Sequence, residues 1–262
     1  MLGPDSLLHF PMVLVVVAVI VLAALAHGTM GFGFPIISTP IVAMMTDIKT
    51  AILVTLFPNI VVNLVSVLRG GNWRQSIGKY WPVALYVLIG TIIGTRALIV
   101  FHPEPLKLLL AIMLLVYLRQ ASFRELDWSW LKRYKRGSAL LFGSVAGFLA
   151  GTVNVTVPPL IIYFMALGLE PIAMTQTLNL CFLVGKVTQA LTLGISGSIG
   201  GSTLIASAPL TLVAVVALFL GMRIQRGVQP QAYRKLLNRV LSVMALILVL
   251  QVGWYYLSSI LP

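Results

Sequence analysis

The chain has 262 residues, of which 59% are apolar and only 9% are charged, and its mean hydropathy is +1.02. Soluble domains carry nearer one quarter charged residues, so these values exclude a soluble globular enzyme, a disordered chain and a small disulfide-bonded module. The apolar residues form blocks of roughly 20 residues, which is typical of a chain that crosses a membrane several times. The sequence therefore predicts an all-α, polytopic transmembrane helical bundle.

The net charge of +12 fits membrane orientation better than nucleic-acid binding, because cytoplasmic loops of membrane proteins are enriched in Lys and Arg. Most of the 18 basic residues fall in three loops, at 69–79, 119–137 and 223–239. We expect these main basic loops to face the cytoplasm, which places both termini outside, and we expect no nucleic-acid partner.

Ten apolar segments follow one another along the chain, at 11–27, 34–46, 50–68, 80–101, 105–119, 138–150, 155–168, 172–194, 203–222 and 236–260. They divide into a first transmembrane repeat at 1–119, a basic cytoplasmic connector at 120–136 and a second transmembrane repeat at 137–262. Several features recur in the same order in both halves, including Gly94-Thr95-Arg96 and Gly221-Met222-Arg223. This order indicates an internal duplication.

The repeat and the charges together predict the orientation of the two halves. Five crossings are an odd number, so the second half would be inverted relative to the first. An eight-span bundle, in which 11–46 and 138–168 each fold as a re-entrant hairpin, places the same loops on the same sides. In both versions the bundle consists of two inverted repeats with broken or re-entrant helix pairs.

Two stretches at corresponding places, HGTMGFGFPIISTP (27–40) and GTVNVTVPP (151–159), are interrupted by Gly and Pro. Freed amides and carbonyls persist at membrane depth only where they line a cavity or pack on protein. Paired breaks in an inverted repeat are typical of a transporter site, and a restarting helix directs its amides at an anion. Close packing by small residues is the alternative. The substrate-binding residues predicted here are Gly28, Thr29, Gly31, Gly33, Gly151, Thr152, Asn154 and Thr156.

Polar side chains line one face of two otherwise apolar segments. The first segment carries Thr55, Asn59, Asn63 and Ser66, and the matching segment carries Thr175, Asn179, Lys186 and Gln189. Hydrogen bonding between helices would explain such a stripe without a ligand. We predict that Asn59, Asn63, Asn179 and Gln189 bind the substrate.

Lys186 lies deep in its segment, where an ionisable group is costly and by default functional, although snorkelling towards water is conceivable. All six acidic residues fall in loops or at segment ends, so the sequence predicts that an anionic substrate supplies the negative charge. His27, beside the first break, is the candidate proton carrier and is also predicted to bind substrate. The alternative is a polar side chain that is satisfied at a helix end.

The sequence lacks the signatures of several other activities. It contains no GxxxxGK phosphate loop, no paired catalytic carboxylates and no cysteine cluster, and His9, His27 and His102 have no metal-ligand spacing. We therefore expect no catalytic residues, no metal and no cofactor, and no enzymatic activity.

Several runs resemble a known family. GTMGFGFPIISTPIVAMMTDIKTA, FPNIVVNLVSVLRGGNWR and LIGTIIGTRAL resemble the first repeat of the sulfite exporter TauE/SafE family, and SVAGFLAGTVNVTVPPLIIYFMALGLEPIAMTQT resembles its second. The resemblance implies a multi-pass permease of the bacterial inner membrane for sulfite, thiosulfate or an organosulfonate.

The leading hypothesis is a secondary transporter that moves a small sulfur-containing anion by alternating access within the lipid bilayer. An inside-negative membrane potential favours anion exit, and the few titratable groups in the spans offer little coupling for import, so export is expected. An anion channel and a membrane scaffold without transport activity are the alternatives. The sequence leaves the particular anion, the coupling ion and the oligomeric state open.

Overall fold

A computed structural model describes residues 10–71, 73–74, 76–119, 128–225 and 230–260, and these residues form helices and connecting turns. The helices are α1 (Phe10–Met30), α2 (Phe34–Met45), α3 (Ile48–Arg69), α4 (Ile77–Val100), α5 (Pro103–Leu118), α6 (Ser129–Arg133), α7 (Lys135–Val153), α8 (Val157–Ala166), α9 (Pro171–Ile195), α10 (Gly201–Ile224) and α11 (Pro230–Ile260). Residues 120–127 of the predicted connector and 226–229 of the last basic loop lie outside the described residues.

Within the described part of the chain, seven helices are long and apolar enough to cross a membrane, namely α1, α3, α4, α7, α9, α10 and α11. The protein is therefore a multi-pass membrane protein. The remaining apolar helices α2 and α8 have 12 and 10 residues. At 1.5 Å per residue they reach only about 18 and 15 Å, well short of a hydrocarbon core of about 30 Å. Neither α2 nor α8 is long enough to cross the membrane alone, whereas α1 and α7, the helices before them, are.

Helices α4 and α7 pack main chain against main chain along a ridge of glycines. Gly143, Gly147 and Gly151 recur every fourth residue on α7 against α4, and Gly90 and Gly94 of α4 approach the main chain of α7 at Ser144 and Phe148. A Cβ added to Gly147 would lie 2.1 Å from a main-chain oxygen of α4, and one added to Gly90 would lie 2.1 Å from a main-chain oxygen of α7. Small residues bring membrane helices together in this way.

Helices α1 and α10 pack main chain against main chain in the same way. A Cβ added to Gly28 would lie 2.4 Å from the nearest main-chain atom of α10, and one added to Gly151 would lie 2.5 Å from the nearest of α4. The facing positions have the same spacing in both cases: Leu218 O, Gly221 and Met222 N oppose Gly28, and Thr91 O, Gly94 and Thr95 N oppose Gly151. This correspondence supports the predicted internal duplication.

Contacts between the helices give the directions of α1 and α7 relative to each other. α1 ends beside the last turns of α3, where His27 contacts Ser66, whereas α7 ends beside the last turns of α4, where Gly151 faces Thr95. The Lys49 ammonium, in the first turn of α3, donates to the carbonyl of Ile99 at the end of α4, so α3 and α4 are antiparallel. α1 and α7 therefore point in opposite directions. Their orientation relative to a bilayer stays a prediction.

Candidate functional site

The first break separates α1 from α2 over three residues. Gly31 and Gly33 adopt φ of +81° and +117°, a region that residues with a Cβ rarely occupy. A Cβ at Gly31 would also lie 2.5 Å from the methyl group of Thr175 on α9. Glycine is therefore needed at Gly31 both for the turn and for the close approach of α9.

The second break uses a different residue for the same turn. Asn154 ends α7 at φ +63°, and it is the residue other than glycine with positive φ in the described ranges. Asparagine tolerates this conformation because its short amide can bond locally. The next helix, α8, begins with Val157, Pro158 and Pro159. Because proline has no N–H, the first turn of α8 offers an anion fewer N–H groups than the first turn of a helix without these prolines.

His27 is fully buried beside the first break and bonded at both ring nitrogens. Its Nδ1 accepts the N–H of Phe34 at 3.4 Å, and its Nε2 lies 3.0 Å from Ser66 Oγ. The Ser66 hydroxyl donates to the carbonyl of Val62, so these contacts assign the remaining ring proton to Nε2 of a neutral imidazole. His27 thus joins α1, α2 and α3. This geometry supports the alternative of a satisfied histidine more than that of a proton carrier.

Each break is bound by an asparagine from the long helix of the other half. Asn59 on α3 donates to Asn154 Oδ1 at 3.4 Å, and Asn179 on α9 donates to the carbonyl of Gly31 at 2.7 Å. Asn154 in turn donates to Thr39 Oγ1 on α2 at 2.6 Å. The stretches 27–40 and 151–159 therefore meet inside the bundle.

Two amide oxygens in this region are buried without a hydrogen-bond partner among the described residues, Asn63 Oδ1 and Asn179 Oδ1. The Asn63 amide nitrogen donates to both oxygens of Asn59, and the Asn179 amide nitrogen donates to two main-chain carbonyls. Exchanging either amide's O and N would set oxygen against oxygen. Both atoms are therefore acceptors that a water or a protonated ligand can satisfy.

Lys186 on α9 is buried, with 3% of its surface exposed, beside the second break. Its ammonium donates to Gln189 Oε1, and Gln189 Nε2 donates to the carbonyls of Gly151 at 2.9 Å and Ala150 at 3.3 Å. Across the described ranges the structure contains one ion pair, between Glu104 and Lys107, so Lys186 has no carboxylate partner there. A buried ammonium of this kind requires an anion or an unusually polar environment.

The predicted site residues fall into two groups. We call the side chains of the first group, with Thr39 and Ser66, the core polar cluster. Its hydrogen bonds form separate sets, which join His27 with Ser66, join Thr39, Asn154, Asn59 and Asn63 in a chain, join Asn179 to the main chain of Gly31, and join Lys186 with Gln189. In the second group, Gly28 and Gly151 face the main chain of α10 and α4, and the hydroxyls of Thr29 and Thr152 donate to carbonyls of their own helices. Gly33 and Thr156 precede α2 and α8 as buried N-cap residues without a side-chain capping bond.

Sequence reasoning did not assign Thr39 and Ser66 to the site. Thr39 lies within the first interrupted stretch, and Ser66 belongs to the polar stripe of α3, so the signals were present. It also missed Thr95, whose buried hydroxyl has no hydrogen-bond partner within the described part of the structure. Thr95 lies in the Gly94-Thr95-Arg96 repeat motif, opposite Gly151. A substrate role for any of these residues stays a prediction.

The sequence of the chain matches one known family over most of its length. A sequence profile of the sulfite exporter TauE/SafE family matches residues 16–248, which include both breaks and the whole core polar cluster. The chain belongs to this family. A search of curated proteins found no match, and a search of solved structures found none either.

Membership of the TauE/SafE family confirms the resemblance carried by the sequence motifs and, with the apolar helices, the expectation of a transport protein that crosses the membrane several times. The members of this family are membrane transporters, not enzymes. Among the residues that the structure describes, no three His, Cys, Asp or Glu side chains are grouped as metal ligands.

Proposed function

We propose that the protein moves a small sulfur-containing anion, such as sulfite, thiosulfate or an organosulfonate, out of a bacterial cell across the inner membrane by alternating access. Its three basic loops face the cytoplasm. This proposal joins the sulfite-exporter family of the chain to the chemistry of the core polar cluster.

The buried ammonium of Lys186 is the observation that carries the proposal. It lies beside the second break, and one of its three protons is used by Gln189, which leaves two for a ligand. An anion that binds there replaces the missing carboxylate. Its oxygens are held by Lys186, while Gln189 keeps the ammonium close to the end of α7.

The amides of the core polar cluster supply selectivity for an oxyanion. The acceptor oxygens of Asn63 and Asn179 lack donors, so they suit a protonated oxyanion such as hydrogensulfite, or an ordered water beside it. Anions without oxygen, such as chloride, cannot satisfy these acceptors. We therefore expect sulfur oxyanions to bind more tightly than halides.

The positions of the breaks suit alternating access. The two interrupted stretches meet through Asn154 and Thr39, and from there the first reaches the last turns of α3 at Ser66 and the second reaches the last turns of α4 at Thr95. Rocking of one half against the other would open these two ends in turn. An inside-negative potential favours exit of an anion by about 2.3 kcal/mol per charge per 100 mV, so export needs no coupled ion.

Sulfite efflux from proteoliposomes tests the role of Lys186. Lys186→Met keeps the length and volume of the side chain but removes its charge, and we expect a fall of about 100-fold in the initial rate, because losing one partner of a buried charge interaction costs about 3 kcal/mol. Lys186→Arg keeps the charge with a different shape and should retain part of the rate. Lys79→Met, at an exposed lysine of α4, is the matched control.

Ligand-dependent thermal stability separates a folding defect from a binding defect. Wild-type protein should be stabilised by sulfite or by another sulfur oxyanion, and folded Lys186→Met should lose that response. A near-normal efflux rate in Lys186→Met would remove Lys186 from the mechanism. A wild-type protein that none of sulfite, thiosulfate, sulfoacetate and aryl sulfonates stabilises would contradict the proposed substrate class.

A further inference from the structure

A groove at the ends of α5 and α11 lies apart from the core polar cluster. Its volume is about 570 Å³, and its walls come from α2, α5 and α11: Met44, Glu104, Lys107, Leu250, Gln251, Trp254 and Tyr255. None of these residues belongs to α3, α7 or α9, so the proposed transport site does not account for the groove.

The floor of the groove carries both charges of a zwitterion-binding site. Glu104 is 5% exposed and pairs through one carboxylate oxygen with the Lys107 ammonium at 3.2 Å. Both residues lie in the first turns of α5. The carboxylate attracts a ligand ammonium and the Lys107 ammonium attracts a ligand anion, so the pair matches a ligand that carries both charges.

Gln251 adds an unpaired acceptor to the same wall. Its amide nitrogen donates to the carbonyl of Met44 at the end of α2 at 3.2 Å, which fixes the orientation of the amide. Its Oε1 is buried without a hydrogen-bond partner among the residues that the structure describes. A buried carbonyl oxygen of this kind calls for a donor, and a ligand ammonium in the groove provides one.

The rim of the groove continues into a surface suited to acyl chains. Leu246, Leu250, Trp254 and Leu257 recur at helical spacing on α11, and all four are exposed, so they form one apolar stripe facing lipid. Trp254 and Tyr255 lie near the end of α11, at the level where aromatic residues meet the membrane interface. A ligand that enters the groove from this side is a lipid whose headgroup is at the interface.

We propose that the groove binds phosphatidylethanolamine through its phosphoethanolamine headgroup. The ammonium donates to Gln251 Oε1 and to the Glu104 carboxylate, Lys107 binds the phosphate, and the acyl chains lie along the stripe of α11. Phosphatidylcholine has no ammonium proton to donate, and phosphatidylglycerol has no cation. This assignment is independent of the transported substrate.

Native mass spectrometry of the delipidated full-length protein tests the proposal with phosphatidylethanolamine, phosphatidylcholine and phosphatidylglycerol of identical acyl chains. We expect retention of phosphatidylethanolamine about tenfold above phosphatidylcholine, which corresponds to about 1.4 kcal/mol. Gln251→Leu should abolish this preference, Lys107→Gln should weaken retention of all three lipids because each carries the phosphate, and Lys107→Arg should preserve both retention and preference. Lys79→Gln, on the distant loop end of α4, is the control and should bind as the wild type does.

Equal retention of the three lipids by the wild type would overturn the proposal. So would a phosphatidylethanolamine preference that survives Gln251→Leu, or retention of all three lipids that is unchanged in Lys107→Gln. Competition by free O-phosphoethanolamine distinguishes the two sources of the headgroup: displacement of the lipid at similar concentrations would show that the groove takes a soluble ligand, and the lipid assignment would then be wrong. Resistance to that competitor, with the expected pattern among variants, supports the lipid.

Discussion

The two helix breaks begin with the same left-handed turn, but they differ at their third residue, where Gly33 has φ +117° and Thr156 has φ −99°, and in the side chains around them. At the first break Gly31 takes the left-handed turn, a neutral and doubly bonded His27 lies beside it, and Asn179 binds its carbonyl. At the second break Asn154 takes the turn, and the ammonium of Lys186 lies close by through Gln189. Both breaks follow a glycine that packs on the main chain of a neighbouring helix.

An alignment of the two halves shows which side chains differ at equivalent positions. Pairing Gly28 with Gly151 pairs His27 with Ala150, and the same alignment without gaps pairs Asn63 with Lys186 and Ser66 with Gln189. Each half therefore has one ionisable side chain where the other half has a neutral one. We expect equivalent glycine substitutions to destabilise the two halves alike, because both glycines pack on main chain. We expect substitutions of His27 and Lys186 to differ in effect, because each has a neutral counterpart in the other half.

The largest effect on stability is expected from the two packing glycines. Gly28→Ala and Gly151→Ala each place a Cβ within 2.6 Å of main-chain atoms, which cannot move as a side chain would, so each should lower the free energy of unfolding by about 3 kcal/mol. Thermal unfolding in detergent measures the loss. Gly194→Ala, whose Cβ would meet open space on α9, is the control. If only one of the two substitutions lowered the stability, the two glycines would not have equivalent packing roles.

Removal of the neutral His27 side chain should lower the stability by a smaller amount. His27→Ala leaves the N–H of Phe34 without its acceptor and removes the partner of Ser66, which should cost about 1–3 kcal/mol of stability. Combining His27→Ala with Ser66→Ala in a double-mutant cycle measures the coupling of the pair. Transport per folded molecule should keep the pH dependence of the wild type. If a folded His27→Ala variant lost that dependence, a proton-carrying role would be favoured instead.

The smallest effect concerns the left-handed turn of the second break. Asn154→Gly and Asn154→Ala both lose the bond to Thr39, but alanine also adopts φ near +63° at a cost that glycine avoids. Asn154→Ala should therefore be less stable than Asn154→Gly by about 1 kcal/mol, as measured by thermal unfolding. Equal stabilities would mean that the turn rearranges once the amide is lost.

Helix positions could be predicted closely from the sequence, because each depends on nearby residues. The predicted segments 50–68 and 80–101 correspond to α3 at Ile48–Arg69 and α4 at Ile77–Val100. Asp47 begins α3 by accepting the N–H groups of Lys49 and Thr50, and the positive φ of Gly31 ends α1. Such signals lie within one helical turn of the boundary that they set, so no knowledge of distant contacts is needed.

The candidate site was only partly predictable, since its geometry depends on contacts between halves. The burial of Lys186 and of the α3 stripe followed from their depth in apolar segments. The sequence did not predict that each asparagine would bind the break of the other half. Asn59 binds the break of the second half, and Asn179 binds the break of the first. Neither partner is near in sequence, and the prolines of α8 reduce the amides that the second break was expected to offer.

Sequence by itself determined that the chain is a bundle of membrane helices with two breaks and one deep lysine, because apolar length, glycine and proline act locally. The tertiary structure alone decided which glycines serve packing, that His27 is satisfied on both sides, and that Gln189 holds Lys186 beside the second break. The physical reason is that satisfaction of a buried polar group depends on atoms brought together from distant helices, and no local pattern encodes them.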